Sequence, residues 1–167
     1  GARSGLSLIL WRDFGIGIQD YLLLDPEQIV PPQPERLDEE GTPIPTATFS
    51  PDQLGLTPTT VPAMVISGHP IMEDIELGDV VLQNSCALEL EAFTLADVTV
   101  APLIQTTPNI YGEADTRTFQ RESVARIDLD TDITPRNHFV AAAAENNTTG
   151  SRAFVFCDAD WARNNYG

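Results

Sequence analysis

Lysine is missing from this sequence, and its whole cationic complement is nine arginines set against 25 aspartates and glutamates. Without a lysine the chain cannot build a P-loop, whose lysine reaches the β- and γ-phosphates of a nucleotide. The net charge is -16 and the isoelectric point lies near 4.1. Intrinsic nucleic-acid binding needs clustered cations to neutralise phosphates, and no such cluster is present. There are two histidines, His69 and His138, and two cysteines, Cys86 and Cys157. The cysteines have neither C-x-x-C nor metal-ligand spacing, and no G-x-S-x-G nucleophile elbow occurs. No apolar run approaches the roughly 18 residues of a membrane-spanning helix, and the first residues lack a signal-peptide pattern.

What is present describes one soluble domain. The chain has 167 residues, 42% of them hydrophobic and only 7% aromatic, enough to bury a core and too apolar for a wholly disordered segment. Arginine without lysine reflects either a GC-rich genome or a saline habitat. An excess of carboxylates adds self-repulsion that salt screens.

Leu6, Ile9, Leu10 and Phe14 recur at helical spacing, and Gly15 and Gly17 follow as stop signals, which predicts a short amphipathic helix over 5–14. Residues 19–25, closed by Asp25-Pro26, read as a buried strand. Nine of the 13 prolines then fall between Pro26 and Pro62. Proline removes amide donors and disfavours helix at the residue before it, so 26–62 reads as a long surface loop. Further strands are predicted over 63–67, 79–90, 98–105, 139–145 and 153–156, with a turn at 146–150. Continuous apolar runs with few alternating faces favour an α/β fold, a mostly parallel sheet covered on both sides by helices. One helix is too few for a complete doubly wound domain.

Several residues invite a chemical reading. Asp128, Asp130 and Asp132 place three carboxylates on one face of an extended chain, a candidate hard-cation site. An EF-hand would need Gly and Glu where Ile133 and Phe139 stand. The run 153–156 leads straight into Asp158 and Asp160, beyond a strand end, where open α/β sheets bind ligands; the same aspartates also suit helix capping. His69, between Gly68 and Pro70, reads first as a turn-fixing residue. Cys86 and Cys157, in apolar stretches, read as two separate buried thiols, since a disulfide would require Cα atoms within about 7 Å.

Four segments in order resemble a known family: LILWRDFGIGIQDYLLLDPE (8–27), SGHPIMEDI (67–75), APLIQTTPNIYGEADT (101–116) and SRAFVFCDADWARNNYG (151–167). They are similar to the GldG-like auxiliary subunits of uncharacterised ABC-type transport systems, a group associated with gliding motility. The matching pieces are Phe14-Gly15-Ile16, Leu24-Asp25-Pro26, His69-Pro70-Ile71, the stretch from Leu103 to Glu113, and that from Phe154 to Asn164. Tyr111-Gly112 departs from the family's Trp and small residue, and Cys157 stands where the family has Gly.

The resemblance implies a glutamine-amidotransferase-like α/β domain lacking that enzyme's catalytic cysteine. It also implies that 1–167 is one piece of a larger domain in a membrane-anchored parent chain, on the periplasmic face of the inner membrane. The implied function is non-enzymatic: recognition of a partner protein or exported cargo, alongside the transporter's permease and ATPase subunits. No cofactor, no nucleic acid and at most a weak homodimer are expected. The expected binding residues are His69, Thr106, Thr107, Asn109, Glu113, Asp158, Asp160 and Asn164, with no catalytic residue. Two alternatives stand beside this one. The first is a hydrolase or amidotransferase relative using Cys157 or a metal held by Asp158 and Asp160. The second is an acidic structural domain of a virion or cell surface.

Overall fold

The computed structural model describes residues 5–26, 58–73, 79–91, 96–117, 119 and 127–158. Helix α1 (Gly5–Phe14) leads into β1 (Ile16–Ile18) and β2 (Leu22–Leu24). Strand β3 (Thr60–Val65) is followed by a 3₁₀ turn (Pro70–Met72), β4 (Asp79–Gln83) and β5 (Leu88–Leu90). The long β6 (Val98–Thr106), the short β7 (Tyr111–Glu113), β8 (Phe139–Asn146) and β9 (Ser151–Phe156) complete the order. Helix α1 ends as its sequence demands. Gly15 takes φ +64°, a left-handed conformation that costs glycine little, and its N–H closes on Trp11 O at 3.1 Å.

Every strand pairing among the described residues is antiparallel. The main sheet runs β1-β5-β8-β6-β3-β4, with β9 also paired to β8, and β2-β7 forms a separate ribbon. This overturns the expectation of a mostly parallel, amidotransferase-like α/β fold with flanking helices, and α1 is the one α-helix longer than a turn among the described residues. The short turn at 146–150 already forbids a parallel pair, because a parallel crossover takes a dozen residues or more. Asn146 Oδ1 accepts the N–H groups of Thr148 and Thr149, and Gly150 adopts φ +70° to bring β9 back along β8.

The apolar runs that suggested a parallel sheet have a different cause. In β8, Val140, Ala141, Ala142, Ala143 and Ala144 are all buried. Ala141 and Ala143 pack in a core with Val61, Leu82, Leu103 and Ile110, whereas Ala142 and Ala144 pack with Leu10, Ile16 and Leu88. A central antiparallel strand covered on both faces has no polar side to display, so its sequence reads like a parallel one. On one face the cover is α1, through Leu10 and Phe14, while Leu6 and Ile9 of the expected apolar face remain exposed. The cover on the other face comes from β3, β4 and β6 of the sheet itself, together with Leu23 of the β2-β7 ribbon, Met72 of the 3₁₀ turn and Ile110.

That second cover requires the sheet to curl. Strands β4 and β5 lie four interstrand steps apart along the sheet, about 19 Å if it were flat. Residues 84–87 alone join them, a length that could barely reach so far even when fully extended. The linker instead closes across the strand ends. Asn84 N–H donates to Thr59 O, Leu23 N–H to Ser85 O, Gln19 N–H to Ala87 O, and Cys86 N–H to Cys157 O. The predicted single strand over 79–90 is thus two strands, bent at Asn84 with φ +53°. Asparagine tolerates that left-handed backbone better than other non-glycine residues.

Proline is accommodated where pairing is interrupted. Pro102 falls at the register shift in β6, the position in a central strand where a missing N–H is tolerated. The expected loop over 26–62 ends earlier than anticipated, because β3 begins at Thr60 and takes in Pro62; residues 27–57 of that loop lie outside the described set. Gly112 in β7 has a packing reason: the Tyr21 ring occupies the space a Cβ would fill.

Candidate functional site

Four of the eight expected binding residues, His69, Thr106, Glu113 and Asp158, use their side chains to hold the chain's own backbone. His69 caps the 3₁₀ turn, its Nδ1 accepting from Ile71 N–H at 3.2 Å, as its Gly-His-Pro setting suggested. Thr106 is fully buried at the end of β6. Its Oγ1 donates to Thr107 O at 3.0 Å and accepts from His138 N–H at 2.9 Å. Thr107 N–H donates to Pro62 O, and Asn109 is exposed in the turn before β7. Asp158 is buried after β9, where Oδ2 accepts from Gln83 N–H at 3.0 Å and ties the end of β4 to the end of β9. Asp160 and Asn164 lie outside the described residues.

The triple-aspartate run does not present three carboxylates on one extended face. Asp132 turns inward, its Oδ1 accepting from Ala114 N–H at 3.0 Å and its Oδ2 from Asp128 N–H at 2.7 Å. Asp128 Oδ1 accepts from Asp130 N–H. The segment is a turn that fastens itself and then pairs Ile133 with Gly112 of β7. Among the described residues no group of three or more His, Cys, Asp or Glu side chains is placed to hold a metal ion.

Two buried titratable pairs emerge that sequence reasoning did not join. Glu113 accepts from Asp115 N–H at 2.8 Å and lies beside Asp132. Burial raises the Glu113 carboxyl above its usual range, and the neighbouring Asp132 charge adds to the effect. The same two carboxylates reinforce burial in raising the Tyr111 phenol. His138 Nε2 lies 3.1 Å from Ile110 O, which can only accept, so this nitrogen carries the ring proton. Nδ1 then accepts from the Tyr21 hydroxyl at 3.3 Å, and the two rings meet edge to face. Burial pushes His138 down to about 4, assisted by the Arg136 charge and opposed by the bond to Ile110. The imidazole is neutral at physiological pH.

The two cysteines also meet, contrary to the expectation of separate thiols. Cys86 N–H donates to Cys157 O at 3.3 Å, and the Cys157 side chain lowers the Cys86 thiol. Cys157 is buried, and both its partner sulfur and its burial raise its thiol. That is the opposite of the low pKa an attacking cysteine requires.

Among the cavities lined by described residues, two bear on binding. One, of about 420 Å³, is bordered by Asp20, Tyr21, Asn84, Cys86, Cys157 and Asp158. The other is an open cleft of about 760 Å³ between the 3₁₀ turn and the face shared by β6, β8 and β9. Its floor carries Ala101 and Ala143, its rim Ile71 and Phe154, and Glu145 and Arg152 close one end with an ion pair at 3.2 Å. Ile71 is 46% exposed and Phe154 49%. Among the described residues, His69 is the one expected binding residue that reaches this cleft; Phe154 was missed because a strand phenylalanine reads as core. Comparison with protein-family models, with curated proteins and with solved structures finds no match to this chain.

Proposed function

We propose that this chain is a non-enzymatic recognition domain, and that the cleft beside Phe154 receives an apolar segment of a partner protein. One observation carries the reading: two large apolar side chains stand half-exposed over a floor of alanines, in a cleft of the sheet face that the described chain leaves open. Exposed apolar surface of this kind, rimmed by charge, is the usual mark of a protein contact. Of the polar groups expected to bind, those of His69, Thr106, Glu113 and Asp158 are meanwhile occupied with the backbone. The resemblance to auxiliary subunits of ABC-type transporters supplies the setting, an extracytoplasmic face on which the partner is a membrane subunit of the transporter or its cargo. The parallel fold implied by that resemblance is not part of this reading.

A photo-crosslinking amino acid at Phe154, in the protein co-expressed with the transporter's membrane subunits, tests it. The expected result is an adduct containing one of those subunits, with none from the same group at the exposed Leu129. Equal crosslinking at both positions, or none at Phe154, defeats the reading.

A further inference from the structure

Cys86 lies in the linker that closes the curled sheet, and Cys157 is the first residue after β9. One backbone bond joins them, Cys86 N–H to Cys157 O at 3.3 Å. A single bond of this kind keeps the two Cα atoms within about 6.5 Å of each other. Disulfides span the same interval. Each thiol shifts the other's ionisation, and both residues border the 420 Å³ cavity. Cys86 is half-buried, whereas Cys157 is buried.

We propose that Cys86 and Cys157 form a reversible disulfide that locks the linker to the end of β9, with the adjoining cavity admitting the disulfide oxidant. Such an oxidant belongs to the class of glutathione disulfide. Cys86 gives up its proton, and its thiolate attacks one sulfur of the oxidant. A bond forms between Cys86 and that half, and the other half leaves as a thiolate and takes up the proton. Cys157 then loses its proton and attacks Cys86 Sγ. The protein disulfide closes and the second half leaves as a thiol. Two protein thiols are thereby oxidised and one small disulfide is reduced to two thiols.

The order of attack follows from the pair's asymmetry. The neighbouring Cys157 favours the thiolate of Cys86, the more accessible residue, while the partner thiol and burial disfavour that of Cys157. The extracytoplasmic setting proposed above would supply a suitable oxidant, but the proposal rests on the geometry of the pair and stands without it.

The test exposes the fully reduced native protein to glutathione disulfide and reads intact mass, disulfide-linked peptides and Tm. The expected product has lost two hydrogens, links the peptides bearing Cys86 and Cys157, carries no glutathione, melts higher than the reduced form, and reverts on reduction. Cys157→Ser should leave a glutathione adduct on Cys86, and Cys86→Ser should leave Cys157 unmodified. Three results overturn the proposal: native protein that keeps both thiols while the unfolded chain under the same oxidant crosslinks; an adduct on Cys86 that never resolves in the wild-type protein; or a disulfide form melting no higher than the reduced one. The wild-type measurements decide the matter even where a serine variant fails to fold.

Discussion

His138 and Glu113 are both buried and both shifted, yet they drive stability in opposite directions with pH. The His138 pKa is lowered from 6.5 to about 4 in the folded state. Its contribution is complete above the unfolded pKa and is lost as pH falls through the window from about 6.5 to about 4, a total of roughly 3 kcal/mol. Glu113 is raised above its ordinary value, so its contribution is present at low pH and is lost as pH rises through the folded pKa. Melting curves across pH should show His138→Gln flattening the decline between about pH 6.5 and 4. Glu113→Gln should instead raise Tm at neutral pH relative to wild type, because a buried charge is removed while the acceptor for Asp115 N–H is kept. Either variant shifting the profile in the other direction would show that the group does not titrate as its surroundings dictate. His138 was visible in the sequence only as one of two histidines. Its neutrality comes from burial, assisted by the Arg136 charge, and its tautomer from Ile110 and Tyr21, both distant in the chain.

At the level of the element, β8 and the bend at Asn84 carry the clearest consequences. Ala142 faces α1 and is fully buried, so Ala142→Leu forces apart two surfaces already in contact and should cost about 1–3 kcal/mol by denaturant unfolding. Loss below about 0.5 kcal/mol would mean that the helix sits loosely on the sheet. Asn84 holds φ +53° between β4 and β5. Asn84→Ala should destabilise by about 1 kcal/mol, whereas Asn84→Gly should be close to neutral. Equal losses in the two variants would place the cost in the asparagine side chain and not in the backbone. Helix α1, the core of β8 and the turn at 146–150 were all legible in the sequence, through spacing, apolar runs and Asn-Gly chemistry. The break at Asn84 was not, because an asparagine between apolar stretches signals a strand turn no more strongly than a strand.

Charge governs the behaviour of the whole molecule. A net charge of -16 adds repulsion that the few described ion pairs, Arg12–Asp13 and Arg152–Glu145, do little to offset, since both are exposed. Tm should therefore rise between low and high NaCl as the Debye length shrinks from about 30 Å at 0.01 M to about 3 Å at 1 M. A flat or falling Tm would show that the carboxylates are spaced widely enough not to matter. Closing the Cys86–Cys157 link would act at the same scale, since a loop of that length removes about 4 kcal/mol of unfolded-chain entropy.

By itself the sequence determined what depends on residue type and near neighbours: the acidic surface, the absence of a phosphate-binding lysine, the helix over 5–14, the positions of most strands, and the turn role of His69. Only the tertiary structure decided strand direction, the curl of the sheet, the meeting of Cys86 with Cys157 and of Glu113 with Asp132, and the exposure of Phe154. The physical reason is that burial on both faces looks the same in sequence whether the covering layer is a helix or the sheet's own return. Pairings across tens of residues are set by how that layer closes, not by any local pattern.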